Sequence, residues 1–377
     1  MKLRICHFVN HITGKSDGVY THLMMLFRNL DRSKYEQFLV FQGNEKIENE
    51  LKKLGIEVYV ISNLNKKFSV RCFIQFYKFI KVRQIDIIQT HFLKPYTIAG
   101  VVNIILRKKM IHNYQGLFIN NLYNTWLEKL FYKTVHIIIY LFKSVNLAIA
   151  PSFTSKEDLL KETKLFPQIE VYYNGYDKDN TDELDMELVN FINKLRLSSH
   201  IVGIVARLEV QKRIDVSLEI AKIFFQNHKS VHFLYFGDGP LENEMKALAD
   251  KMGINNNVKF MGYIPNIKYY IKYFDVLLFT SDWEGLPLTL WESMAAGVPI
   301  VSTDVGGIRE IIEKEKCGLI FSKNALSEGA AAIEKVVLDK ELKNRLGKNG
   351  LEAVKNKYNI SSFIKSIEKI YDSIISE

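Results

Sequence analysis

The sequence predicts an α/β protein made of two doubly wound halves, and three observations predict it. Its 377 residues exceed what one ordinary core holds, so two domains are expected. Short β-branched runs alternate with amphipathic stretches along the chain, the order that builds parallel sheets with helices on their faces. The alternation lapses once, at the polar "YDKDNTDELDMELVNFINKLRLSSH", and then restarts.

In the first half, "LRICHFVN" reads as a strand, "GVYTHLMMLFRNL" as a helix and "YEQFLVFQ" as a strand. A helix "EKIENELKKLG" ends at Gly55, followed by the strand "IEVYVI" and the helix "VRCFIQFYKFIKVRQ". Then come "DIIQTHF", the helix "YTIAGVVNIILRKK", and the strands "MIHNYQG" and "NLAIAPS". A helix "FTSKEDLLKETK", capped near Thr154 or Ser155, precedes the closing strand "IEVYYNG". In the second half the strands are "IVGIVARL", "VHFLYFGDG", "NVKFMGY", "DVLLFTS", "PIVSTDVGG" and "LIFSK", with helices between and after them. The expected division is a first domain over 1–177, a connection over 178–198, a second domain over 199–358 and a final helix over 359–377. In such sheets ligands sit beyond the carboxyl ends of the strands, so strand-end loops carry the candidate residues.

Composition bounds the chemistry. With 47% hydrophobic and 25% charged residues the chain reads as globular. Three scattered cysteines, Cys6, Cys72 and Cys317, with no CxxC, point to reduced thiols and away from a disulfide framework or a zinc site. The N-terminal apolar run is too short for a signal peptide, and neither "PYTIAGVVNIIL" nor "TVHIIIYLFKSVNLAIA" provides the ~20 apolar residues of a span. A cytoplasmic chain is expected. Residues 1–180 hold 26 Lys/Arg against 15 Asp/Glu, whereas 181–377 hold 25 against 27. A basic first half suggests an anionic surface or substrate, or only solubility. "LEKLFYKTVHIIIYLFKSV" sets Lys129, Lys133 and Lys143 beside aromatic and aliphatic residues, as an interfacial helix would, or a core helix.

Four segments carry candidate chemistry. "HITGKSDGVY" ends like a phosphate-binding loop, but the glycine that loop needs at position 9 is Val9, and GxGxxG is absent. What remains is a turn with Gly18 at a helix start, whose N–H groups suit an anion or a sugar oxygen. "GIVARLEVQKR" puts Arg207 after a strand and Lys212 five residues on; two cations there can clamp a diphosphate, or decorate a surface. "YFGDGPLENE" is strand-to-helix punctuation or a nucleotide-facing loop. "EGLPLTLWE" sets Glu284 on a tight loop and Glu292 on the short helix behind it, with Pro287 in the first turn and Gly297 past the end. Glu284 can accept sugar hydroxyls, and Glu292 can hold a vicinal diol such as a ribose. The plainer reading is one acid favoured by a helix dipole and one solvated acid. Leu286, Leu288, Leu290, Trp291 and Met294 argue that this helix is buried, and a buried acid needs partners.

"EGLPLTLWESMAAGVPIVSTDVGGIREII" resembles the family-4 retaining glycosyltransferases, with Glu284 and Glu292 matching their Glu-x7-Glu element. "VARLEVQK", "YFGDGPL", "VKFMGYIPN", "VYYNGYD" and "APSFTSKEDL" match further family segments in order. The resemblance covers nearly the whole chain and is most specific over 200–312. It implies the GT-B architecture: two Rossmann-like domains facing a cleft, donor nucleotide-sugar on the second, acceptor on the first, and a last helix crossing back. It implies no metal and no cofactor beyond the nucleotide-sugar, with a UDP-sugar expected before a GDP-sugar. Carried over, Arg207 and Lys212 hold the diphosphate, Glu292 the ribose and Glu284 the transferred sugar. Backbone at Gly262 and Tyr263 touches the base, and the amides of Gly285 and Leu286 meet sugar or phosphate. The acceptor is expected to be a surface glycan or its lipid-linked precursor, with contact at the inner membrane surface and no nucleic-acid partner.

The chain departs from the pattern in two places. The paired glycines after the first strand read Asp17 and Gly18. Where many relatives have histidine at a first-domain strand end, this chain has Gln115, which hydrogen-bonds but takes no proton at neutral pH. His91 and His112 are the candidates to replace it, His91 being otherwise a packed core residue. Two rival readings are a GT-B epimerase or phosphorylase and a non-catalytic nucleotide-sugar-binding component of a glycan assembly complex.

Overall fold

The computed structural model of the chain describes residues 2–12, 14, 17–66, 69–114, 119, 125–178, 184–228 and 230–376. It divides into two compact units, Met1–Asn174 with Ile360–Glu377, and Gly175–Asn359.

The first unit runs β1 (Leu3–Phe8), α1 (Gly18–Asn29), β2 (Tyr35–Phe41), α2 (Glu45–Lys53), β3 (Glu57–Val60), α3 (Val70–Val82), β4 (Ile87–His91), α4 (Leu93–Leu106), β5 (Lys109–Asn113), α5 (Trp126–Leu141), β6 (Leu147–Ala150), α6 (Phe153–Glu162) and β7 (Ile169–Val171). The strands form one parallel sheet in the order β3-β2-β1-β4-β5-β6-β7. Side chains on a strand alternate between faces, so Phe38 and Val40 enter one core and Leu39 and Phe41 the other. The final helix, Ile360–Ser376, packs on this unit through buried Phe363, Ile367 and Ile370, and Tyr371 donates to Gln89 Oε1 at 2.5 Å.

The second unit runs α7 (Met186–Arg196), β8 (His200–Val205), α8 (Ile214–Asn227), β9 (Val231–Phe236), α9 (Glu242–Met252), β10 (Val258–Gly262), β11 (Val276–Phe279), α10 (Leu288–Ala295), β12 (Ile300–Thr303), α11 (Gly306–Glu315), β13 (Gly318–Phe321), α12 (Leu326–Leu338) and α13 (Lys340–Asn356). Its sheet is parallel in the order β10-β9-β8-β11-β12-β13. Chain order therefore reverses between β8 and β11, as it does between β1 and β4 in the first unit, which places a crevice at each reversal.

Local chemistry moves two expected boundaries. The cap of α6 is Ser152, whose Oγ accepts the Ser155 N–H at 3.0 Å; Thr154 and Ser155 are already helical. The stretch read as an irregular connection contains α7, because Asp185 caps Glu187 and Leu188 at 2.9 and 3.2 Å and Leu188, Val189 and Ile192 share one buried stripe.

Candidate active site

In the second unit the loops after β8 and β11 meet at the reversal of strand order. After β8 the chain takes a single tight turn, Val210–Lys212, and Arg213 follows in the left-handed region at φ 48°. That turn holds Lys212 against the loop after β11, where its Nζ lies 2.5 Å from Glu284 Oε1, 72 positions along the chain. Ser281 Oγ donates to the same oxygen at 2.7 Å. The side chains of Lys212 and Glu284 are 19% and 6% exposed, so the pair is largely withdrawn from water. Among the described residues no hydrogen bond reaches Glu284 Oε2.

The backbones of the two loops are tied as firmly as their side chains. Asp282 N–H donates to Gln211 O at 2.9 Å, and Gln211 Nε2 donates to Trp283 O at 2.7 Å. Thr280 Oγ1 lies 2.9 and 3.0 Å from the carbonyl oxygens of Lys212 and Arg213. Arg213 forks onto Asp215 and reaches Asp282 at 3.1 Å, so this arginine spans both loops. Sequence reading names neither Arg213 nor Asp215, and takes Asp282 only as a residue that tightens its loop; a basic residue two positions before an acid at a helix start is the local signal.

Glycines set the remaining loops. Gly306 opens α11 at φ 42°, and a Cβ there would sit 2.0 Å from Glu284 O, so only glycine lets this helix start against the Glu284 backbone. Gly307 N–H donates to Gly285 O at 3.0 Å, while the N-cap position holds Val305, which has no side-chain acceptor to give. Among the described residues no acceptor takes the N–H of Gly285 or Leu286. Gly306 and Gly307 were also missed, although "DVGG" at a strand-to-helix turn announces a close approach. At the end of β9, Gly237 lies against Ala206 O, and its N–H donates to Gly262 O at 2.8 Å. Arg207, Gly237 and Gly262 therefore end three neighbouring strands in one laced edge, with Tyr263 beyond it and partly exposed.

Arg207 does not join the Lys212–Glu284 pair. Its guanidinium is 49% exposed and its ion pair, at 3.8 Å, is with Glu209. Of the two cations expected to hold the diphosphate, Lys212 alone lies against Glu284. Among the described residues Glu209 is the one acid ion-paired with Arg207.

Pro287 forms the N-cap of α10 at φ −68° rather than lying in its first turn. Leu290, Trp291, Ser293 and Met294 bury one side of the helix. Glu292 is half-buried, and among the described residues no side chain hydrogen-bonds or ion-pairs with it. Loss of water raises its pKa from 4.5 to about 7, with the Lys268 charge opposing the rise. Glu292 is thus neither fully solvated nor sealed from water.

In the first unit, Gly18 begins α1 in open space, with nothing within 4 Å of where a Cβ would stand. The helix start is not bare: Asp17 accepts the Val19 N–H at 3.0 Å. His91 ends β4 and is fully buried, its Nδ1 3.2 Å from Asn113 Nδ2, its ring packed between His7 and His22. Burial holds His91 well below the ordinary histidine pKa, as it does His22, at about 4. His112 is buried as well, stacked on Phe166 with Nδ1 3.1 Å from Thr90 Oγ1. Gln115 and most of "GLFINNLYNTW" lie outside the described residues.

The family profile described as Glycosyl transferases group 1 matches residues 185–353, and that described as Glycosyltransferase Family 4 matches residues 16–180. The chain is a group 1 glycosyltransferase. It is similar to the UDP-Gal:alpha-D-GlcNAc-diphosphoundecaprenol alpha-1,3-galactosyltransferase of Escherichia coli, 26% identical over 99% of this chain and 97% of that one. It also resembles the poly(ribitol-phosphate) alpha-N-acetylglucosaminyltransferase of Staphylococcus aureus, 24% identical over 52% of this chain and 42% of the relative. Among solved structures, Anabaena HepE in complex with UDP superposes with a TM-score of 0.80 at 18% identity, covering 99% of this chain and 100% of that one. A glycosyltransferase from Rickettsia africae superposes with a TM-score of 0.82 at 19% identity, covering 99% of both. The fold of this group 1 glycosyltransferase is GT-B, and the enzyme is a transferase of glycan biosynthesis.

Proposed function

We propose that this glycosyltransferase moves a hexosyl group from a nucleotide-diphosphate sugar, UDP before GDP, to a hydroxyl of a surface polysaccharide or its lipid-linked precursor. The transfer keeps the anomeric configuration, requires no metal and takes place on the cytoplasmic side. The observation that carries this reading is the Lys212–Glu284 pair at the β8–β11 reversal, with the start of α11 beneath it. Breaking the anomeric C–O bond builds negative charge on the diphosphate and positive charge on the sugar. Lys212, fixed by its turn, and Arg207, half free to swing from Glu209, are the cations that meet the first. Glu284 has one oxygen anchored by Lys212 and Ser281 and presents the other to the sugar hydroxyls. Glu292 takes the ribose diol, Gly262 and Tyr263 the base, and the Gly285 and Leu286 amides the sugar or phosphate. Gly18, His91 and Gln115 belong to the acceptor side, where the buried His91 shapes the site rather than moving a proton.

Two similarities support the finer points. The Escherichia coli relative is named for a UDP-sugar donor and a diphosphoundecaprenol acceptor, and HepE has been solved with UDP. Several relatives are named for alpha linkages, the outcome of retention from an alpha-linked nucleotide-sugar. The test is a donor screen that follows nucleotide release and thermal shift with UDP- and GDP-sugars, with cell-envelope lipids as acceptors. Stabilisation by UDP-sugars and acceptor-dependent UDP release are expected. Failure of every nucleotide diphosphate to stabilise the protein overturns the donor site, and stabilisation without release points to a non-catalytic sugar-nucleotide binder.

A further inference from the structure

Helix α5 is anomalous for a water-soluble surface. Its inner side, with His136 and Ile139, is buried against the first unit. Its outer side carries Trp126, Leu127, Leu130, Phe131, Ile138 and Leu141, spaced to form one continuous apolar stripe. Trp126, Leu130 and Leu141 are 72%, 56% and 69% exposed. Scattered exposed apolar residues need no explanation, but a contiguous stripe along a whole helix does.

The polar groups around the stripe identify what covers it. Lys129 and Lys133 flank it on the helix, and exposed Lys143 and Arg107 stand at its C-terminal end, where Arg107 Nη1 donates to Phe142 O at 2.6 Å. The one acid of the helix, Glu128, is turned back onto the N-cap, accepting from Thr125 N–H at 2.8 Å and Thr125 Oγ1 at 2.9 Å. Thr134, in the middle of the stripe, donates its hydroxyl to Leu130 O at 2.9 Å and so offers no unsatisfied donor to an apolar medium. Residues 1–174 and 360–377 together hold 27 Lys/Arg against 16 Asp/Glu. A second copy laid on this face would bring like charges together. An anionic bilayer surface meets both the apolar stripe and its cationic rim. Aromatic rings at both ends, Trp126 and Tyr140 with Phe142, suit a helix lying about 24 Å along the interface.

We propose that the outer face of Trp126–Leu141 docks the enzyme on anionic lipid, inserting its apolar stripe among the acyl chains while Lys129, Lys133, Lys143 and Arg107 meet headgroup phosphates. It rests on the reading of a lipid-linked acceptor and names the surface that brings the enzyme to it.

The test is co-sedimentation of the full chain with phosphatidylcholine vesicles and with vesicles of equal parts phosphatidylcholine and phosphatidylglycerol, at low and physiological salt. Binding to the anionic vesicles, with a blue shift of Trp126 emission absent in Trp126→Phe, is expected. Leu130→Glu with Leu141→Glu should abolish it, and each of Lys129→Gln and Lys133→Gln should weaken it about fivefold. Leu130 and Leu141 are exposed, so the double variant should keep its donor-induced thermal shift, which shows that it is folded. No binding by the native chain, or equal binding by the double variant, overturns the proposal. So does a dimer by light scattering that the double variant dissolves while neither protein binds vesicles. The donor screen is read separately, so failure here leaves the donor reading intact.

Discussion

Replacing Glu292 by glutamine tests the site through stability and binding at once, and the two should move in opposite directions. In the unfolded chain a glutamate loses its proton near 4.5, but the folded protein holds it to about 7. Between those values folding takes up a proton, so the contribution of Glu292 to stability is greatest below 4.5, falls as pH rises through about 7, and then levels off. The ionised carboxylate therefore costs the empty protein about 3 kcal/mol at pH 8, the free-energy equivalent of that displacement. Glu292→Gln removes this cost but leaves an amide without a partner, worth about 1 kcal/mol against it. The expected gain at pH 8 is about 2 kcal/mol, or roughly 4–8 °C in Tm for a unit of this size, with no gain at pH 5. Differential scanning calorimetry of both proteins at the two pH values measures it. Donor affinity should go the other way. If the carboxylate takes two ribose hydroxyls, nucleotide binding to the native enzyme weakens about tenfold per pH unit below about 7, because the proton must leave first. In Glu292→Gln that slope disappears and affinity is low throughout. A Tm difference independent of pH, or loss of stability at pH 8, refutes the assignment of an unpaired, water-deprived acid.

Other perturbations separate the parts of the site. Lys212→Met should lower turnover roughly 10²–10³-fold and destabilise by about 3 kcal/mol, since Glu284 is left nearly buried with Ser281 alone; adding Glu284→Gln should restore part of the stability in urea unfolding. Arg207→Ala should lower turnover as much but change stability by less than about 0.5 kcal/mol, because its side chain is half exposed and its ion pair is long. Equal losses would make Arg207 structural. Gly306→Ala should cost about 2 kcal/mol or more and reduce the donor-induced thermal shift, because its Cβ collides with Glu284 O and the residue is left-handed.

The sequence was informative where the argument was local. Continuous apolar runs such as Ile201–Ile204 mark parallel strands buried on both faces, and they gave the sheet order its raw material. The eight-residue spacing of Glu284 and Glu292 announced one acid on a loop and one on a helix. What it could not supply was pairing across distance. Nothing local to Lys212 says that it meets an acid 72 positions on, or that Arg213 and not Arg207 bridges the same two loops. Likewise His91 reads as a strand-end residue facing a crevice, but His7 and His22 come from other elements to bury it. Helix α7 was hidden because its apolar stripe is short and is surrounded by polar residues; the Asp185 cap was its only clear signature.

The two acids of "EGLPLTLWE" meet the cost of burial by different means. Glu284 has a lysine and a hydroxyl sharing one of its oxygens, so its geometry is set before any ligand arrives. Glu292 has no such partner, and burial raises its pKa to about 7, so only below that pH does it avoid the cost by holding a proton. On the proposed function, a ribose that donates two hydroxyls to Glu292 would provide what the protein withholds, and the proton would depart as it binds. Rigidity belongs where the reacting sugar must be positioned, since small misplacement there slows the chemistry. Adaptability is tolerable at the far end of the donor, where contact sets affinity alone. The eight-residue spacing achieves this division because it puts the first acid at the reversal of strand order, within reach of the loop after β8, and carries the second along α10 beyond the reach of Lys212.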